Sequence, residues 1–165
     1  MRSKELEMSN SREQLTVNSE QSKLYFIEQK IIDGVRGLLT GRVNELLCGY
    51  DFQIPVVEFS ECGYGVTPKI LLSSCERSEK ERIINVDAYS LTVSFCLPDK
   101  QESLLCCYAY GVTFKKALCE NVTLGGIVDR ALIVSKKFVP PKVQNTGMEL
   151  EYIITLRITV ETMNE

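Results

Sequence analysis

The chain has 165 residues, a net charge of −3 and no histidine. Lacking histidine, it has neither the commonest general base nor the commonest metal ligand, which excludes Ser-His-Asp and Cys-His catalysis. The negative balance does not indicate a broad basic patch for nucleic acid, and no run of about 18 apolar residues exists to span a membrane.

Residues 1–20 are rich in Ser, Asn, Glu and Gln and poor in large apolar groups, which predicts a mobile N-terminal arm. The polar start holds no apolar segment of a secretion signal. Residues 21–165 fit a single domain, since a chain of this size buries roughly 70% of its unfolded surface. A first helix is predicted over residues 22–48, with Leu24, Ile27, Ile31, Val35, Leu38, Leu39 and Leu46 along one side and Gly49 at its end. Gly34, Gly37 and Gly41 share a flank of that helix and read either as tolerated weak points or a kink, or as a smooth groove where another element packs closely.

Residues 50–59 read as an edge or irregular strand, limited by Pro55. Residues 61–68 (Glu-Cys-Gly-Tyr-Gly-Val-Thr-Pro) read as a loop, and residues 69–75 as a short strand. The mixed charge run Glu76-Arg77-Ser78-Glu79-Lys80-Glu81-Arg82 reads as a solvated turn. Residues 83–97 form a long strand with strict alternation: Tyr89, Leu91, Val93, Phe95 and Leu97 on one face, Ser90, Thr92, Ser94 and Cys96 on the other.

A second helix follows Pro98, with Asp99 and Glu102 placed for a capping box. Its buried face is predicted from Leu104, Leu105, Tyr108, Val112 and Cys119, with Ala109 and Ala117 as small fillers. Asn121 stops it, because Asn tolerates left-handed geometry. Gly125-Gly126 turns the chain into a strand over residues 127–139 that Pro140-Pro141 ends. Residues 144–147 read as a turn. The last strand alternates, with Leu150, Tyr152, Ile154, Leu156, Ile158 and Val160 on one face. One wet and one buried face on each long strand predicts an α+β fold: an antiparallel β-sheet with two α-helices packed on one face.

The seven cysteines are scattered, and their odd number predicts reduced thiols acting as small apolar groups in a cytoplasm. The close Cys-x₂₋₄-Cys pairs of structural zinc sites are missing, and Cys106-Cys107 reads as core filler. No phosphate-binding glycine motif is present; Gly63-Tyr64-Gly65 is only a fragment of one. Asn121-Val122-Thr123 matches a glycosylation acceptor, but reads as helix-stop chemistry. Carboxylates are scattered, so neither an enzyme nor a cofactor or metal is expected.

The layout resembles the tail terminator (tail completion) proteins of long-tailed bacteriophages and phage-tail-like particles. The matching pattern is an N-terminal helix, irregular strands, and a long alternating strand ending in Pro98-Asp99. A second helix then ends in Ala117-Leu118-Cys119-Glu120-Asn121. Thr123-Leu124-Gly125-Gly126-Ile127-Val128 and a closing antiparallel strand complete it. The resemblance implies a structural, non-enzymatic virion protein, made in the bacterial cytoplasm and located on the virion tail. It implies a homohexameric ring on the tail tube that stops tube growth and joins head-completion or neck proteins. DNA would pass its lumen without sequence-specific contact. On this reading the loops carrying Glu61, Gly63, Tyr64 and Gly65, and Pro140, Gln144, Asn145 and Gly147, contact neighbouring subunits or tail tube, being the least periodic segments. Two alternatives stay open: another neck, head-closure or tail-tube subunit, and a cytoplasmic ligand-binding or enzymatic α+β domain.

Overall fold

The computed structural model of the chain describes residues 27–60, 63–144 and 147–163. The predicted arm and the predicted start of the first helix lie outside the described residues. Helix α1 spans Ile27–Leu38; a π-helical turn, Leu39–Val43, and a last α turn, Asn44–Leu47, continue it. The first helix is therefore interrupted. Gly41 lies in the π turn, where a poor helix former weakens the regular hydrogen-bond ladder. The wider turn shifts the phase of the final α turn, so Val43 and Leu47 are buried while the predicted Leu46 is only partly covered.

Four strands take the order β1-β2-β4-β3: β1 (Lys69–Glu81), β2 (Ile84–Pro98), β3 (Arg130–Gln144) and β4 (Gly147–Met163). Every neighbouring pair is antiparallel. The two central strands put their apolar sets in register: Tyr89 faces Ile158, Leu91 Leu156, Val93 Ile154, Phe95 Tyr152 and Leu97 Leu150. All ten of these side chains are buried, forming the floor of the core. Helix α1 and helix α2 (Gln101–Glu120) cover that one face, so the fold is the expected α+β layer pair. The rings of Phe95 and Tyr110 stack across the layers, with centroids 4.7 Å apart and planes 5° from parallel. The Tyr110 hydroxyl donates to the Pro55 carbonyl at 2.6 Å, tying the segment after α1 to the core.

Several local expectations are corrected. The charge run at residues 76–82 is no turn: through Glu81 it continues β1, paired with β2. Beyond Leu72 both faces of β1 are exposed, and without a buried face a strand shows no alternation to read. Pro140-Pro141 does not end β3; the register shift between Val139 and Lys142 absorbs both prolines, and Gln144 pairs with Gly147. A bulge on an edge strand tolerates the missing N–H groups. At its start, β3 begins at Arg130, because residues 127–129 still belong to the preceding turn. Residues 50–59 form no regular strand, only a parallel bridge between Val57 and Val66.

Helix α2 begins after Lys100 with no side-chain cap, so the Asp99–Glu102 capping box is not formed. It also turns a different face inward. Cys106, Cys107, Tyr110, Phe114, Ala117 and Leu118 are buried, whereas the predicted inward residues Leu105, Tyr108 and Val112 are 50%, 53% and 56% exposed. Cys119 is exposed as well. The physical reason is that α2 is apolar almost all round, so periodicity alone selects no single face.

Candidate assembly surfaces

The turn after α2 shows how sequence chemistry builds the surface beside it. Asn121 caps the helix with an extended φ of −146°, not a left-handed one. Its Oδ1 accepts from the Gly125 N–H at 2.8 Å, and the Thr123 hydroxyl accepts from the Gly126 N–H at 3.2 Å. Leu124, Gly125 and Gly126 have φ of +49°, +73° and +88°. Glycine adopts that region freely; Leu124 holds it while buried in the core. A Cβ on Gly34 would lie 3.3 Å from Ile127 Cδ1, so close packing holds there. Gly37 and Gly41 have open space instead.

The turn delivers the chain to β3, an outer strand of the sheet. Between β3 and the last turns of α2 lies an open groove of about 380 Å³. Its floor is apolar, with Leu118, Val122, Ala131, Leu132 and Val134, and Lys115 and Lys136 stand at its rim. Towards the start of α2, Leu105, Tyr108 and Val112 extend this surface as an apolar stripe. Tyr108 meets Phe138 of β3 edge-on, centroids 5.8 Å apart. Arg42 closes the far end of the helix layer, donating from Nε and Nη2 to both Glu120 oxygens at 2.8 and 3.2 Å. These hydrogen bonds hold the Glu120 carboxyl below the usual carboxylate range.

A second surface is the loop carrying Gly63, Tyr64 and Gly65. Asn44 anchors its base, accepting from the Val57 N–H and donating to the Val57 carbonyl, both at 2.8 Å. The Gly65 N–H donates to Glu58 Oε1 at 2.5 Å, and a side chain at Gly65 would overlap the Val56 carbonyl. The Gly-Tyr-Gly pattern thus serves a loop folded over its own carboxylate. Tyr64 stands wholly in solvent at its tip.

Burial pushes the Cys107 thiol up to about 12 and raises the Cys106 thiol and the Tyr110 phenol, so these groups stay neutral. Among the described residues no three Cys, Asp or Glu side chains are placed to hold a metal ion, and no helix is long and apolar enough to cross a membrane.

No family model matches the chain, and neither does any curated protein.

Of the predicted contact residues, Gly63, Tyr64 and Gly65 share the anchored loop, while Glu61 and Asn145 lie outside the described residues. Pro140, Gln144 and Gly147 belong to paired strands, so the second predicted loop is a hairpin end. Sequence reasoning missed the groove and the outward stripe of α2. The available signal was that α2 carries two apolar stripes, one more than its own core needs.

Proposed function

We propose that this chain is a structural subunit that closes with copies of itself into a ring on the end of a phage or phage-like tail tube. There it stops tube growth and offers a surface to head-completion or neck proteins. The observation that carries this reading is the continuous apolar surface of α2 and the groove beside β3, exposed although the chain already has a complete core beneath. Apolar side chains left exposed side by side suit a protein-binding face. The resemblance in element order and in the Leu-Gly-Gly turn supplies the tail-terminator form, and a head-to-tail contact repeated by rotation closes a ring.

The test is to mix the purified chain with growing tail tubes and image them. Rings at one tube end, with tube length arrested, are expected. Tubes that bind nothing and lengthen at an unchanged rate overturn the reading. One observation favours a second reading: the volume of the groove is within the range of small-ligand sites. A ligand-binding domain would show saturable affinity for a small apolar anion held by Lys115 and Lys136, and a chain that stays monomeric.

A further inference from the structure

We propose that the groove between α2 and β3 receives the distal tip of the β1–β2 hairpin of a second copy. The inference rests on the ring reading and names the contact that would build it. Two observations specify the occupant, one of charge and one of shape.

The groove is apolar below and basic above. Lys115 of α2 and Lys136 of β3 line it, and both are exposed. Neither enters an ion pair among the described residues. The hairpin tip has the opposite character. Arg77 and Lys80 are already neutralised, by Asp87 at 2.8 Å and Glu161 at 2.8 Å. That leaves Glu76, Glu79 and Glu81 against Arg82; with the two pairs included, five carboxylates face three cations, a net charge of −2. Beside those glutamates, Ile83 and Met163 are 53% and 73% exposed. Exposed apolar side chains and an excess of carboxylates thus share one end of the sheet. An apolar groove rimmed by lysines lies at the other side.

The two cannot meet within one chain. The groove centres on Ile133, paired with Leu156, and the tip on Ile84, paired with Met163. Leu156 and Met163 are seven residue steps apart along β4, roughly 23 Å at about 3.3 Å per residue. Two complementary patches fixed apart on one sheet make a head-to-tail contact, which generates rings or filaments. Side-chain docking also fits β3 better than strand addition does. Its lysines and the Pro140-Pro141 bulge are the devices by which an edge strand resists backbone pairing.

The experiment is charge reversal with exchange, on the full chain, read by sedimentation and native mass as a function of concentration. Wild type assembles. Lys115→Glu with Lys136→Glu, and separately Glu79→Lys with Glu81→Lys, each weaken assembly about tenfold or more, because like charges now meet across the contact. Mixing the two variants makes both contacts of an alternating array complementary, wild-type tip on wild-type groove and lysine tip on glutamate groove, and recovers the assembly that neither forms alone. All four positions are exposed, and unchanged thermal melts show that folding is intact. Assembly that survives both reversals overturns this contact while leaving the ring reading standing. Loss on reversing the groove but not the tip also overturns it, and gives the groove to another occupant. A wild-type chain that stays monomeric up to millimolar concentration, and forms no ring on tubes, overturns both.

Discussion

Helix α2 has two apolar faces that the same residue types build and that meet opposite fates. The inward face, with Tyr110, Phe114 and Ala117, has no contact with solvent. The outward face, with Leu105, Tyr108 and Val112, is about half exposed. Burial inside the chain stabilises the monomer; apolar surface left outside stabilises only an assembly that covers it. The comparison separates folding from association along a single helix, and substitutions on the two faces should act on different measurements.

The largest effect is expected on the inward face. Phe114→Ala leaves a cavity beneath α2 and should cost about 3–5 kcal/mol, read as a lower urea midpoint with an unchanged slope. A loss under about 1 kcal/mol would mean that this face is not the core.

Gly111→Ala tests the same face by overfilling it. A Cβ there would lie 2.6 Å from the hydroxyl of the buried Tyr152 and 3.3 Å from Lys136 Nζ. Crowding of this kind costs about 1–3 kcal/mol. Removing the obstructing oxygen with Tyr152→Phe in the same chain should recover most of the loss. Additive losses would place the strain elsewhere.

These two residues also show what the sequence could and could not reveal. Strands β2 and β4 were legible because one face is wet and the other buried, so Tyr89 to Leu97 and Leu150 to Ile158 alternate without a break. Phe114 and Gly111 were not, because their helix is apolar on both sides and its true inward face depends on which stripe meets Phe95 and Tyr152. The distal half of β1 was hidden for the opposite reason, having no buried face at all. Of the candidate site, the loop of Tyr64 was visible through its glycines. The groove was not, since its walls come from a helix and an edge strand that only the Leu-Gly-Gly turn brings side by side.

On the outward face the expected effect on folding is small and the effect on association large. Leu105→Ser and Val112→Ser should each change stability by no more than about 0.5 kcal/mol, as surface substitutions usually do. The same variants should weaken self-association or ring formation on tubes, measured by native mass and by imaging. A fall in stability as great as that of Phe114→Ala, with association unchanged, would erase the distinction between the faces.

The smallest effect belongs at the end of the helix, where Glu120 joins α2 to Arg42 of the π turn. Both side chains are 42% exposed, so solvent screens the pair and its contribution is slight. Its sign is nevertheless fixed. The Arg42 hydrogen bonds hold the Glu120 carboxyl below its ordinary 4.5, and a depressed carboxylate favours the folded state once pH exceeds the unfolded value. The stabilisation is therefore whole above pH 4.5 and disappears as pH falls through the lowered value. Glu120→Gln should be slightly less stable than wild type at neutral pH, with the two urea midpoints converging in acid and the gap narrowing in high salt. A gap that persists unchanged into acid would show that the side chain acts through packing along the α1–α2 seam. In that case charge would have no part in fixing the angle at which the outward stripe of α2 is presented.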